Sequence, residues 1–157
     1  MTHAALRQFL HDRIPLTRAM HVDVVDVCDD RVTLFAPLVP NVNHRQTVFG
    51  GSASSLAILA AWSLVYVRLK SEHPGLRIVI QRNATTYERP ITGDFTATSG
   101  VSDPEAWERF QNTLRRRGRA RIHVTAVLQC SGERVGSLDA AFVAERLVRP
   151  GPGRTDD

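Results

Sequence analysis

Hydrophobic positions along this chain switch between helical and alternating spacing, and each switch marks an element. Leu6, Phe9, Leu10 and Ile14 recur at helical spacing before Pro15, which predicts a short amphipathic helix that the proline ends. Val22, Val24, Val25 and Val27, then Asp29-Asp30, then Val32, Leu34 and Phe35 predict a hairpin around an acidic turn, closed by Pro37 and Pro40. Asn41 to Ser52 reads as a loop, and Gly50-Gly51 opens a long helix from about Gly51 to Lys70. Leu56, Ile58, Leu59, Trp62, Leu64, Val65 and Val67 make that helix apolar almost all round. A helix with no wet face must be wrapped by the rest of the domain.

The remainder alternates. Leu76, Ile78 and Ile80 face one way, with Arg77 and Gln81 the other; Phe95, Ala97, Ser99 and Val101 form a second period-two set. Ala120, Ile122, Val124, Ala126 and Leu128 form a third, and Leu138, Ala140, Phe142 and Ala144 within Arg134 to Arg146 a fourth, across a Ser131-Gly132 turn. Between them, Ser102-Asp103-Pro104-Glu105 signals a helix start. Trp107, Phe110 and Leu114 give that helix one apolar face, and Gly118 stops it. The order predicts an α+β domain, a curved antiparallel sheet of five or six strands around one long central helix.

Composition narrows the picture. The 157 residues suit one domain over 1–148, with the Pro/Gly-rich 149–157 as a disordered tail. Hydrophobic residues at 43% and charged residues at 23% are ordinary globular usage, which excludes fibrous and largely disordered classes. Two cysteines, Cys28 and Cys130, exclude a disulfide scaffold, and a reducing cytoplasm is the simplest compartment. The N-terminal residues do not read as a secretory signal. Ser54, Ser55, Ser63 and Arg68 interrupt the apolar run Ala53 to Leu69, so no membrane span is expected. The net charge of +4 is carried almost wholly by arginine, since Lys70 is the single lysine. That excess is modest and lacks interleaved aromatics, so a nucleic-acid partner is not expected. The six histidines show no paired ligand spacing, so no metal is expected, and no phosphate-loop or dinucleotide fingerprint occurs.

The segment Asn43-His44-Arg45-Gln46-Thr47-Val48-Phe49-Gly50-Gly51-Ser52 holds the candidate chemistry. Its polar groups precede a buried helix whose first turn offers unpaired N–H groups and a partial positive charge. Glycine lets a ligand reach that backbone, and such a place can stabilise an oxyanion formed in acyl transfer. The same Gly50-Gly51 pair also reads simply as a tight turn that lets the helix pack closely. His44 reads as a base or as a loop hydrogen-bonding residue, and Ser54 as a water holder or a small packing residue. Tyr87 and Arg89 read as corner residues, with Arg89 alternatively meeting a phosphate. The cluster Arg115-Arg116-Arg117-Gly118-Arg119 complements a helix C-terminus, or binds coenzyme A phosphates or an acidic carrier protein.

These motifs resemble the hotdog-fold thioesterase family of the YiiD C-terminal type. The resemblance rests on Asn43-His44, Thr47, Phe49-Gly50-Gly51-Ser52 and the helix reaching Ala60-Ala61-Trp62. Ile14-Pro15-Leu16 with Met20, Tyr87-Glu88-Arg89-Pro90-Ile91 with Gly93-Asp94-Phe95-Thr96-Ala97, and Gly118 to Val124 extend it over residues 14 to 146. It implies a sheet wrapped around a central helix, a homodimer or dimer of dimers joined at sheet edges, and sites between subunits. It implies acyl thioesters of coenzyme A or acyl carrier protein as substrate, with no separate cofactor. By position, Gly50 and Gly51 would bind the thioester carbonyl oxygen, and Asn43 and His44 would place or activate water, with Ser54 one turn on. Thr47, Phe49, Ile58, Tyr87, Arg89 and Arg115 would contact substrate.

The chain departs from the family pattern at two positions. Ile58 stands where many such thioesterases carry a helix Asp or Glu, and Phe49 where a histidine often precedes the glycines. Glu88, Asp94 and Asp139 are then the outside acids to consider. The missing helix carboxylate also admits a non-catalytic acyl-thioester binder. A hydratase or dehydratase on the same scaffold would need a His–acid pair that the sequence does not offer.

Overall fold

The structure, a computed structural model, describes residues 1–70 and 75–146, so the tail expected at 149–157 lies outside the described residues. Helix α1 (His3–Arg13) is capped by the Thr2 hydroxyl, which accepts from the Ala5 N–H, and it buries Leu6 and Leu10. Pro15 does end this helix, but it also begins α2 (Pro15–Ala19), because a proline at the first helical position loses no hydrogen bond. Strands β1 (Asp23–Val27) and β2 (Arg31–Ala36) form the predicted hairpin.

Central helix α3 (Gly50–Leu69) buries Leu56, Leu59, Leu64, Val65 and Val67 against the sheet. It is long and apolar enough to cross a bilayer, yet most of its surface is already covered by the rest of the chain. Its C-terminal end is held by Arg68. That guanidinium donates to the Asp29 carbonyl (2.7 Å) and the Asp30 carboxylate (2.6 Å) and stacks 4.8 Å from the Trp107 ring. The hairpin turn, the central helix and the segment carrying Trp107 thus converge on one cation.

Strands β3 (Leu76–Tyr87), β4 (Phe95–Gly100), β5 (Arg119–Cys130) and β6 (Glu133–Arg146) complete a six-stranded sheet of order β1-β2-β4-β5-β6-β3, every neighbouring pair antiparallel. Helix α4 (Pro104–Arg117) starts at an Asp103 cap and stops at Gly118, whose φ of 70° suits glycine. The core joins α3 to Leu34, Phe95, Ile122, Val124, Leu128, Leu138 and Phe142. This is the hotdog architecture, a curved antiparallel sheet around one helix.

β3 differs from its expected form. It continues past Ile80 to Tyr87, with a register shift between Ile80 and Arg82 that breaks the simple alternation around Gln81. Tyr87 is therefore the last residue of a strand and not a corner. β3 also stays largely exposed, because it pairs only with β6 and forms the sheet edge.

Leu64 is fully buried, whereas Leu16 is 50% exposed. Leu64→Ala is expected to cost about 3 kcal/mol in chemical denaturation. Leu16→Ala is expected to stay within about 0.5 kcal/mol of the parent.

Candidate active site at the tip of the central helix

The loop before α3 is held from within. Asn41 is 2% exposed, and its amide donates to the carbonyls of Met20 (3.0 Å) and Pro37 (2.8 Å). Its own carbonyl accepts the Phe49 N–H at 2.7 Å, which fixes the residue that begins the helix. Asn43 organises the turn that follows. Its side-chain oxygen accepts from the Arg45 and Thr47 N–H groups, and its amide donates to the Thr47 hydroxyl at 2.9 Å. Asn41 and Asn43 thus supply the local geometry that delivers Phe49 and the glycines.

α1 and α4 each have a side-chain cap, but α3 has Phe49 at its N-cap and no capping side chain. The Ser52 and Ala53 N–H groups donate to the Phe49 carbonyl. The Gly50 and Gly51 N–H groups have no hydrogen-bond partner among the described residues. These two donors sit at the positive end of a 20-residue helix.

Two aromatic rings flank the glycines. A Cβ on Gly51 would come within 2.3 Å of the Phe49 ring, and one on Gly50 would meet the Tyr87 ring at 3.4 Å. The Tyr87 hydroxyl donates to the Gly50 carbonyl at 2.7 Å, tying the end of β3 to the helix tip. Phe49 and Tyr87 both remain more than half exposed, so this aromatic frame faces solvent. Beside it opens a groove of about 370 Å³ lined by Thr47, Gly50, Ala53, Tyr87, Glu88 and Arg89 over a floor that includes Val48 and Ile91. Along α3 from the tip, the Ser54 hydroxyl lies 3.0 Å from that of Thr85 on β3, and Ile58 is half-buried beyond it.

The structure therefore gathers Thr47, Gly50, Gly51, Phe49, Tyr87 and Arg89 at the helix tip, with Asn43 supporting the loop and Ser54 a turn away. His44 is exposed, its ring nitrogen 3.4 Å from the Arg45 Nε, and it does not line the groove. Arg115 is not brought to the tip within one chain. It lies in the last turn of α4, beside the start of β5, bonded to the Asn112 side chain. The row holding Tyr87 and Gly136 meets β5 at Leu128, nine residues on from Arg119, a separation of about 30 Å at ~3.3 Å per residue.

Of the outside acids, Asp94 accepts the Leu38 N–H, and Asp139 lies on the outer sheet face near His123. Glu88 alone of the three lines the groove, with Arg134 donating to its carboxylate at 2.8 Å. Arg89 forms an ion pair with Glu133. Sequence reasoning overlooked Thr85 and Asn41. Thr85 stands two residues before Tyr87 and so shares its strand face. Among the described residues, no cluster of three His, Cys, Asp or Glu side chains is placed to hold a metal.

A family model described as "Putative thioesterase (yiiD_Cterm)" matches residues 3–146. The chain belongs to this family. Three solved structures share its fold. A protein of unknown function from Chlorobaculum tepidum is 26% identical, with a TM-score of 0.87 over 92% of this chain and 94% of its own. A "putative thioesterase" from Shewanella oneidensis is 24% identical, with a TM-score of 0.80 over 91% and 96%. A "Probable Thioesterase" from Pseudomonas aeruginosa is 19% identical, with a TM-score of 0.81 over 92% and 96%. These matches cover nearly all of each partner, so the likeness is one of whole domains.

Contact between Phe49 and Gly51 yields a sharp expectation. Gly51→Ala must displace the Phe49 ring, at a cost of about 1 kcal/mol because that ring is free at its outer end. Adding Phe49→Ala should remove this penalty in a double-mutant cycle read by thermal unfolding.

Proposed function

We propose that this member of the family hydrolyses acyl thioesters at the tip of α3. The observation that carries the reading is the pair of N–H groups at Gly50 and Gly51 without a partner among the described residues, with Gly50 lining a groove, in a chain of a thioesterase family. A thioester carbonyl placed there would develop negative charge on oxygen as water adds to carbon. Two preorganised backbone donors stabilise that oxyanion, at about 3 kcal/mol for a good donor. Collapse of the adduct breaks the C–S bond, and the thiolate leaves and takes up a proton.

Glu88 is assigned as the base that accepts the proton of the attacking water, because it is the carboxylate residue of the groove lining. His44 and Asn43 act on the loop that presents the glycines. The acyl group lies toward Ser54 and Ile58, and Thr47, Phe49, Tyr87 and Arg89 frame the thioester. Coenzyme A or an acyl carrier protein supplies the thiol. A second reading, a binder of acyl thioesters without turnover, is favoured by the absence of any carboxylate from α3.

The active form is a homodimer joined through β3. This strand is 12 residues long, forms the sheet edge and exposes Val79, Ile80 and Tyr87. Long exposed edges of this kind pair readily with another chain.

Purified protein is expected to release thiol from acyl-CoA or acyl-carrier substrates. Glu88→Gln should lower kcat by roughly a hundredfold or more, and His44→Ala by far less. Thioester binding without thiol release from any substrate would select the binder. Light scattering should give twice the chain mass, and Val79→Glu, on the outer face of the β3 edge, should shift the protein toward monomer.

A further inference from the structure

One stripe of α3 is not fully wrapped. Ser54, Ile58, Trp62 and Tyr66 recur at four-residue spacing and are all half-buried, whereas most of the helix is buried. Facing them is the inner row of β3. Ile80, Asn83, Thr85 and Tyr87 pair with Phe142, Ala140, Leu138 and Gly136 of β6, the row that includes the core side chains Leu138 and Phe142.

Helix and strand are bridged twice along this stripe. Near the tip, the Ser54 and Thr85 hydroxyls meet at 3.0 Å. Farther along, the Trp62 indole N–H donates to the Ile78 carbonyl at 3.1 Å. Between the bridges, Ile58 is half-buried, Ile80 is 36% exposed and Asn83 is exposed on the same row, so a strip of two isoleucines edged by one amide lies open there. From Ser54 to Trp62 the helix advances by about 12 Å.

Trp62 is held as a fixed wall. Its ring stacks on Tyr66 at 5.0 Å and parallel to Phe9 of α1 at 6.1 Å, and Phe9 stacks on Tyr66 at 4.6 Å. With its N–H also bound to β3, the indole cannot turn aside without breaking several contacts at once.

We propose that Trp62 sets the upper length of the acyl chain this protein accepts, which makes it a specificity-determining residue for short and medium chains. This rests on the acyl-thioester reading above. A chain that enters from the helix tip runs over the Ser54–Thr85 bridge, along Ile58 and Ile80, and meets the indole face. Each further methylene must then be left in water or displace a three-ring stack.

The test uses the full chain with acyl-CoAs graded from acetyl through butanoyl, hexanoyl, octanoyl, decanoyl and dodecanoyl to palmitoyl. In parallel, calorimetry measures binding of the matching S-alkyl-CoA thioethers, which cannot be hydrolysed. The parent should show a break in kcat/KM and in affinity beyond one length, by roughly tenfold or more. Trp62→Ala should move the break to longer chains, and Ile58→Trp, which fills the strip, to shorter ones. Each profile is read relative to its own optimum. An equal loss at every length in Trp62→Ala, with the break unmoved in both variants, would overturn the assignment, as would binding of no thioether at all. A break that moves in the binding series while nothing is hydrolysed would uphold the wall and reject the hydrolase.

Discussion

A 20-residue helix without a polar face survives in water only inside another layer, and every other element here answers to that demand. Strands β2, β4, β5 and β6 turn Leu34, Phe95, Ala97, Ile122, Val124, Leu128, Leu138 and Phe142 toward α3. Alanines and serines along the helix let the sheet come close, and the sheet must curl to cover a cylinder. At the C-terminal end of α3, Arg68 draws the hairpin turn and α4 together. Along the body of the helix the covering is incomplete on the stripe of Ser54, Ile58, Trp62 and Tyr66 that faces β3, where the sheet ends. The candidate groove, the row of half-buried helix residues and the unpaired strand edge all follow from that one unfinished side.

The helix tip has a different origin. Phe49 occupies a position where a Ser, Thr, Asp or Asn would have closed the first turn, as Thr2 and Asp103 do for α1 and α4. With no such cap, the Gly50 and Gly51 N–H groups find no partner among the described residues, and Gly50 lines the groove. Neither Gly50 nor Gly51 has a positive φ, so conformational freedom does not explain the pair. Space explains Gly51, because the Phe49 ring occupies the place of its side chain, whereas a Cβ on Gly50 would meet the Tyr87 ring at 3.4 Å, close to ordinary contact.

Much of this was legible in the residues. The hairpin, the helix from Gly50, the Asp103 cap and the Gly118 stop follow from local rules that tertiary contacts did not override. β3 was only half legible, because alternation announces a strand with one buried face. An edge strand with a register shift after Ile80 has no consistently buried face to announce. In the site, the glycine pair and its loop were readable from spacing. The work of Asn41 and Asn43 was not, since an asparagine that anchors a turn looks the same in sequence as one that meets a ligand. Arg115 reads from its arginine cluster as a binder of coenzyme A phosphates, and the register of β5 against β6 shows it at the far end of the sheet from Tyr87.

Charge is arranged along the same axis. Arg115, Arg116 and Arg117 fill the last turn of α4, where cations complement the helix dipole, and Arg119 and Arg77 share Glu145. The tip of α3, by contrast, presents uncharged donors, an aromatic frame and the one groove carboxylate, Glu88, whose side chain is 35% exposed beside Arg134. A carboxylate at Ile58 would stand half-buried on the incompletely wrapped stripe of α3, beside apolar neighbours that disfavour its charge. Glu88, just beyond the last residue of β3, stays partly exposed and lines the same groove as Gly50. With the carboxylate at the strand end, the stripe of α3 from Ser54 through Ile58 to Trp62 carries no charge, and the charged and uncharged sides of the helix tip are supplied by different elements.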